Sequence, residues 1–173
     1  MKIFGLAGWS GSGKTTLMVR LLPEITGRGY TVSTIKHAHH TFEIDTPGKD
    51  SFEHRSAGAT EVMISGGMRW ALMHENREAG EPAIKDLLRH MTPVDLVMVE
   101  GFKTYQHPKL EVHRPALGKP LICMEDNRIV AVASNEAIGG LPVPVLGLDD
   151  VSAIADFILE HSGLAVEVRH GTA

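Results

Sequence analysis

Residues 8–15 read GWSGSGKT, and this stretch decides the fold. It matches the phosphate-loop pattern G-x-x-x-x-G-K-[ST] at every fixed position. The apolar run of residues 2–7 precedes it and predicts a buried strand, while Leu17, Leu21 and Ile25 follow it at helical spacing. Because a strand before the motif and a helix after it form the setting in which such loops bind phosphate, we predict a nucleotide-binding site here.

Each fixed residue of this loop suits the chemistry of phosphate binding. Gly11 and Gly13 permit backbone conformations with positive φ, so that successive N–H groups, including that of Ser12, can surround phosphate oxygens. The start of the following helix adds the positive end of its dipole. Lys14 is expected to reach the β- and γ-phosphates, and the Thr15 hydroxyl is expected to bind a magnesium ion.

Two acids are candidates for the same magnesium ion. Glu100 follows the apolar run of residues 94–99, a typical central parallel strand, and an acid at this place in phosphate-loop proteins holds magnesium through water. Asp95, at the other end of the run, is expected to be a turn residue. Residues 45–48, DTPG, resemble the D-x-x-G switch of GTPases, which makes Asp45 a candidate for sensing the γ-phosphate and the metal. A solvated loop is the alternative for this segment.

The remaining polar motifs leave alternatives open. His37, His39 and His40 have a spacing that could bind zinc or nickel, but no cysteine lies nearby, and phosphate contact or a solvated loop is favoured. No N-K-x-D guanine motif is present. Residues 133–136, ASNE, follow a predicted strand at a suitable place for base contacts, although a plain turn is favoured.

The order of the predicted elements indicates an α/β class. Asp50 or Ser51 is the expected N-cap of a short helix. The alternation predicts a three-layer phosphate-loop NTPase fold with a mostly parallel central sheet and an added β-hairpin, in one domain over residues 1–173. The predicted elements are strands at 2–7, 30–36, 94–99, 110–113, 121–124 and 129–133, helices at 15–28, 50–59, 82–91 and 151–161, and a hairpin of 61–65 and 69–75 around Gly66-Gly67.

Composition limits the classes of partner and compartment. The chain has 173 residues, and 17 basic against 21 acidic residues give a net charge of −4, which argues against broad binding to nucleic acid. Its one cysteine, Cys123, excludes an internal disulfide and fits a reducing compartment. No apolar run approaches the roughly 20 residues that span a bilayer, so we expect a cytoplasmic protein without a membrane partner.

Longer stretches of the sequence resemble one family, the molybdopterin-guanine dinucleotide biosynthesis protein B family, or molybdenum-cofactor adapter GTP-binding proteins. The resemblance depends on GWSGSGKTTL at the phosphate loop, TIKH at residues 34–37, DTPGKDSFEHRSAGA at residues 45–59 and VEGFK at residues 99–103. It covers most of the first 105 residues and is weaker afterwards. One departure is that His40-Thr41 stands where the family often reads H-D.

The resemblance implies a function as well as a fold. It implies GTP and Mg²⁺ as ligands, at most weak GTP hydrolysis, and a homodimer that assists the attachment of GMP to molybdopterin. The implied partners are a molybdenum-cofactor guanylyltransferase and molybdopterin itself. The resemblance assigns phosphate binding to Gly11, Gly13, Lys14, Thr15 and Thr16, and a metal or switch role to Asp45, Asp50 and Glu100. The preference for GTP over ATP depends on the resemblance alone.

Two other functions share the loop and the magnesium site. A small-molecule kinase would need an acceptor pocket with a base, for which Asp45 or Glu100 could serve. A nickel-insertion chaperone GTPase would use the histidines. The hairpin of residues 61–75 carries more apolar surface than an exposed hairpin needs, which predicts that it contributes to a dimer or covers its own domain.

Overall fold

The computed structural model describes residues 1–38, 42–102 and 105–164, and the chain divides into two compact units. The first unit holds Met1–His37 and the chain from Pro93 onward, and the second holds Ala38–Thr92. The strands are β1 (Lys2–Ala7), β2 (Val32–Lys36), β3 (Glu61–Ser65), β4 (Trp70–His74), β5 (Leu96–Glu100), β6 (Lys109–His113), β7 (Ile129–Ser134) and β8 (Val145–Gly147). The α-helices are α1 (Lys14–Gly27), α2 (Asp50–Ser56), α3 (Ile84–Arg89) and α4 (Val151–His161), and short 3₁₀ turns lie at Arg77–Ala79, Pro115–Leu117 and Ile122–Met124.

A six-stranded sheet organises the first unit. Its strand order is β2-β5-β1-β6-β7-β8, and every neighbouring pair is parallel. This confirms the predicted α/β class and the parallel central sheet. Since β1 has β5 on one side and β6 on the other, the order reverses beside β1, and ligands of open parallel sheets bind beyond the carboxyl ends of the strands at such a point. The phosphate loop follows β1 at that edge.

The main core lies between the sheet and two helices, α1 and α4, which pack against each other. Alternate residues of the strands face these helices because side chains along a strand point to opposite faces. Leu17, Leu21 and Ile25 of α1 are buried as the helical spacing predicts. The helix continues through Pro23 to Gly27. The sheet supplies Phe4, Leu6, Leu96, Met98, Leu110, Val112, Ala131 and Ala133 to this core.

A smaller apolar cluster, formed by Ala7, Cys123, Ile129 and Val132, lies on the opposite face of the sheet. One of the predicted strands, which contributes to this cluster, is wrong. Residues 121–124 form no strand but include the 3₁₀ turn Ile122–Met124. The buried carboxylate of Glu111 accepts the backbone N–H groups of Ile122 and Cys123, each at 2.9 Å. Consecutive N–H groups of a strand point to opposite sides, so one carboxylate can bind both only if the chain turns.

Burial raises the pKa of the Cys123 thiol, which disfavours its reactive thiolate form.

One further expectation is wrong, and one strand was not expected. The N-cap of α2 is Lys49, not Asp50 or Ser51, and no side chain caps this helix within the described residues. Asp50 instead begins the helix, where a negative charge suits the dipole. The edge strand β8 was not predicted, because Pro142 and Pro144 stand close to its three residues and proline usually argues against a strand.

The second unit holds the predicted hairpin. Strands β3 and β4 pair antiparallel, with Val62 opposite Met73 and Met63 opposite Leu72. The connection begins with Gly66, whose N–H donates to the Arg69 carbonyl at 3.0 Å. Residues that are directly opposite share a face, so Val62 and Met73 form a buried face and Met63 and Leu72 lie on the other.

A buried basic pair lies beside Gly5 in the first unit. His107 is 8% exposed, and a Cβ atom on Gly5 would lie 2.5 Å from its Nε2, so only glycine fits opposite this ring. Lys109 is fully buried and donates from Nζ to the carbonyls of Tyr105 at 2.5 Å and His107 at 3.1 Å. Burial, with the charges of Lys109 and Arg128, lowers the pKa of His107 to about 4. His107 is therefore neutral in the folded protein at pH 7.

We predict that His107 makes the folded state less stable in mild acid. At His107 the unfolded chain binds a proton near pH 6.5 and the folded chain near pH 4. The contribution of His107 to the free energy of unfolding therefore falls as pH falls through this window and is constant above it. The loss at pH 4 should be on the order of 3 kcal/mol, from about 1.36 kcal/mol per pKa unit. The measurement is urea unfolding from pH 4 to 8 for the wild type and His107→Phe. An unchanged pH slope in the variant would contradict the assignment to His107.

Candidate nucleotide-binding site

The loop between β1 and α1 has the backbone conformation that its glycines permit. Gly8, Gly11 and Gly13 have φ values of 144°, 79° and 100°. A Cβ atom on Gly8 would lie 2.5 Å from the Val112 carbonyl oxygen, so a larger residue would clash with β6. The Ser12 N–H donates to the Trp9 carbonyl at 3.2 Å, and the Ser12 side chain is buried. The loop therefore packs against the sheet at Gly8 and Ser12.

The start of α1 offers backbone donors. Its N-cap is Gly13, in the left-handed region, and within the described residues no side chain caps the helix and its first turn holds no acid. The first helical bond runs from the Leu17 N–H to the Gly13 carbonyl at 2.9 Å. The amides of Thr15 and Thr16 consequently have no acceptor within the helix. Both residues are exposed, so this helix start suits an anion.

Lys14 folds back over the loop. Its Nζ donates to the carbonyls of Gly8 at 3.0 Å and Trp9 at 2.9 Å. The ammonium group is thus held beside the phosphate loop. The sequence motif predicts that it binds phosphate from this position. Carbonyl oxygens are weaker partners for an ammonium than phosphate oxygens, since bonds between two charged groups are the stronger ones.

Thr15 and Glu100 meet, as the sequence predicts for the two magnesium ligands. The Thr15 hydroxyl donates to Glu100 Oε1 at 2.8 Å. Strand pairing explains the contact, because Glu100 ends β5 and stands opposite Leu6 of β1, just before the loop. Lys36 of β2 also stands opposite Glu100, with its Nζ 3.8 Å from Oε1. A hydroxyl and a carboxylate in contact are hard oxygen ligands, so the pair fits a magnesium ion.

The ends of β2 and β5 are fixed by a small packing cluster. The His37 N–H donates to the Glu100 carbonyl at 2.8 Å, and the His37 ring lies 4.5 Å from the Phe102 ring. A Cβ atom on Gly101 would lie 2.8 Å from His37 Cβ, so glycine is required after Glu100. His39 and His40 lie outside the described residues, and within the described part of the chain no three His, Cys, Asp or Glu side chains form a metal-binding group.

Asp45 lies in the second unit, where Arg55 binds it. Both carboxylate oxygens accept from Arg55, from Nη2 at 2.9 Å and from Nε at 3.2 Å. The Arg55 guanidinium also contacts Glu43 and Glu75, and it lies 5.1 Å from the centre of the Phe52 ring. The hydrogen bonds from Arg55 hold the pKa of Asp45 below its usual range. Asp45 is therefore an ionised and already paired carboxylate.

Sequence reasoning missed a segment that follows β6 and contacts the phosphate loop. Arg114 donates from Nε to the Ser12 carbonyl at 3.1 Å, and the Trp9 indole donates to the Pro120 carbonyl at 2.8 Å. The Lys119 ammonium lies 5.9 Å from the centre of the Trp9 ring. No local signal identifies these residues, since their place depends on β6 being the neighbour of β1.

A cavity opens at the carboxyl ends of β7 and β8. Its volume is about 360 Å³, and it is lined by residues 134–138 and 145–147. The Ser134 hydroxyl accepts the Glu136 N–H at 3.1 Å, which makes the expected turn. The same turn therefore lines a cavity at the carboxyl edge of the sheet, at the residues that the sequence offers as candidates for base contacts.

Comparisons with known proteins agree on one family. Residues 3–135 match the family model of molybdopterin guanine dinucleotide synthesis protein B. The chain is 39% identical over 161 residues to the molybdopterin-guanine dinucleotide biosynthesis adapter protein of Escherichia coli (strain K12), covering 91% of each chain. It is 40% identical over 159 residues to the protein of that name from Haemophilus influenzae, covering 90% of this chain and 86% of that one.

Solved structures agree with the fold. The crystal structure of a molybdopterin-guanine biosynthesis protein B is similar with a TM-score of 0.72 at 27% identity, covering 92% of this chain and 99% of that one. The crystal structure of a MobB homolog from Bacillus stearothermophilus has a TM-score of 0.69 at 25% identity, with 94% and 99% coverage. The described helices include none long and apolar enough to cross a membrane. On the family match and the two close relatives, this chain belongs to the molybdopterin guanine dinucleotide synthesis protein B family.

Proposed function

We propose that this protein is a GTP-binding adapter that assists the attachment of GMP to molybdopterin in the synthesis of molybdopterin guanine dinucleotide. The nucleotide-binding part of this proposal is carried by one observation, the 2.8 Å hydrogen bond between the Thr15 hydroxyl and Glu100 beside the phosphate loop. The biosynthetic part is supported by the adapter names of the two relatives. Those names favour an adapter over a small-molecule kinase or a nickel chaperone.

In this proposal the loop binds the phosphates and Mg²⁺ joins them to the strand end. Thr15 and Glu100 would hold the ion, which supplies charge neutralisation to the β- and γ-phosphates. Lys14 would exchange the carbonyls of Gly8 and Trp9 for phosphate oxygens. Gly11, Ser12, Gly13 and Thr16 would contribute backbone amides, a role that motif and helix geometry support.

The cavity beyond β7 and β8 is the proposed place of the base. It is lined by Ser134, Asn135 and Glu136, whose amide, carboxylate and backbone groups can both donate and accept hydrogen bonds, as a guanine edge requires. The preference for GTP over ATP is supported by family membership, because no N-K-x-D motif is present in the sequence.

Asp45 is proposed as the acid that responds to the γ-phosphate. Its pairing with Arg55 supports a specific form of that role, in which Arg55 holds the carboxylate until a triphosphate and Mg²⁺ compete for it. We also propose that hydrolysis by the protein alone is slow, since DTPG at residues 45–48 is not followed by a glutamine that could position water.

Calorimetry with Lys14→Ala tests the nucleotide proposal. We expect GTP with Mg²⁺ to bind the wild type more tightly than ATP. The variant should lose roughly ten- to a hundredfold in GTP affinity, because a charged hydrogen bond contributes about 1.5–3 kcal/mol. Lys85→Ala, which removes an exposed lysine of the second unit, is the matched control and should bind as the wild type does.

The same proteins test the adapter role when they are added to a molybdenum-cofactor guanylyltransferase with molybdopterin and GTP. The wild type and Lys85→Ala should increase product formation, and Lys14→Ala should not. Equal GTP affinity in Lys14→Ala would contradict the phosphate-loop assignment. Stimulation without any GTP binding would show an adapter that does not use the nucleotide site.

We further propose that the protein is a homodimer formed partly by the hairpin of β3 and β4. One face of this hairpin leaves Met63 62% exposed, Trp70 61% exposed and Leu72 38% exposed. Such contiguous apolar surface marks an interaction site, and the described hairpin has free strand edges. A second copy of the chain would cover this face by the same patch on both subunits.

We predict that Met63→Glu combined with Trp70→Glu produces monomers, because each buried carboxylate would lose its hydration at the interface. Light scattering at micromolar concentration measures the mass. Val19→Glu changes an exposed apolar residue of α1 that is 63% exposed and should leave the dimer intact. A monomeric wild type would contradict the dimer, and a dimeric double variant would contradict only its location.

A further inference from the structure

We infer that Arg114 is a positioning residue of the phosphate loop, which orients the peptide between Ser12 and Gly13 for anion binding. The inference depends on the proposed nucleotide-binding function and assigns a part of it to a residue outside the motif. It is carried by the hydrogen bond of 3.1 Å from Arg114 Nε to the Ser12 carbonyl.

The geometry of a single peptide group makes this contact consequential. The Ser12 carbonyl and the Gly13 N–H belong to one planar trans peptide, so they point in opposite directions. A donor that fixes the carbonyl on the outside of the loop therefore directs the Gly13 N–H toward the inside. Because phosphate loops bind anions through inward N–H groups, the outer hydrogen bond selects the conformation that binds.

Without the hydrogen bond from Arg114, the peptide between Ser12 and Gly13 could rotate. Gly13 has φ of 100°, a region that glycine enters at little cost, and glycine also has more alternatives than other residues. A Cβ atom on Gly13 would lie 3.6 Å from both Nε and Nη2 of Arg114, so the guanidinium packs directly against the residue it would orient. A charged donor also polarises the peptide, which makes the N–H on the other side a better donor.

The place of Arg114 in the fold makes it a rigid support. It directly follows β6, which pairs with β1 from Gly5 to Ala7. The Leu117 N–H donates to the Arg114 carbonyl at 3.0 Å in the turn that follows. The indole of Trp9 binds the Pro120 carbonyl, so the same segment holds the loop at a second point.

The test uses inorganic tripolyphosphate with Mg²⁺ as the probe, since it lacks a base, and three variants of the full chain. Arg114→Met removes the charge and the hydrogen bond, and Arg114→Lys keeps the charge but not the planar Nε donor. Arg89→Met removes an exposed arginine that pairs with Asp86 in α3 and is the control for net charge. Calorimetry gives the affinity, thermal melting gives the stability, and the NMR signal of the Gly13 amide reports its orientation.

We expect Arg114→Met to bind tripolyphosphate about tenfold more weakly, the size expected for one charged hydrogen bond, while Arg89→Met stays within twofold of the wild type. Arg114→Lys should remain clearly weaker than the wild type. The Gly13 amide signal should shift or broaden in both Arg114 variants before any ligand is added. If Arg114→Met does not fold, the lysine variant provides the test.

Three results would overturn the inference. Full recovery by Arg114→Lys, with an unchanged Gly13 signal, would show that only the charge matters. Wild-type affinity in Arg114→Met would show that the contact has no role in binding, while the proposed function would still stand. A wild type that binds neither tripolyphosphate nor GTP would contradict the proposed function and the inference together.

Discussion

The burial of an apolar core between the central sheet and two helices is the constraint on which the candidate site of the first unit depends. Its consequence at the site is the hydrogen bond between Thr15 and Glu100. It requires that β5 lie beside β1 with Glu100 opposite Leu6, and that α1 begin one residue before Thr15. Both conditions are met by burial rather than by the polar groups themselves. Phe4, Leu6 and Met98 face the helices from the sheet, and a shift of one residue in either strand would turn these side chains to the wrong face. The apolar core thus fixes the register that brings a hydroxyl and a carboxylate together.

The site residues that sequence could predict are those specified by local pattern. The phosphate loop has its own motif, and Glu100 is a candidate because it ends an apolar run, which the structure shows to be a buried strand. The strand of residues 2–7, the strand of residues 61–65 and the helix of residues 151–161 have the predicted bounds, because their apolar patterns end at clear turn or cap residues. Asp150, for example, caps the last of these helices through the Ala153 N–H.

What sequence could not predict depends on which strands become neighbours. Arg114 reaches Ser12 only because β6 lies beside β1, and strand order is not encoded in periodicity. The expected strand at residues 121–124 was wrong for a similar reason, since its apolar residues are turned by Glu111, a buried acid from another strand. The four residues DTPG predict a switch acid at Asp45, but they do not predict its partner Arg55, which comes from the following helix.

The proposal that Thr15 and Glu100 bind one magnesium ion together is tested most directly by a double-mutant cycle. The measurement is the Mg²⁺-dependent part of the GTP affinity in the wild type, Thr15→Val, Glu100→Gln and the double variant. If both residues bind the same ion, either single substitution removes most of the Mg²⁺-dependent GTP affinity. The double variant then binds GTP only slightly more weakly than the weaker-binding single variant. Losses that add, or a GTP affinity that does not depend on Mg²⁺ in the wild type, would contradict a shared magnesium ion.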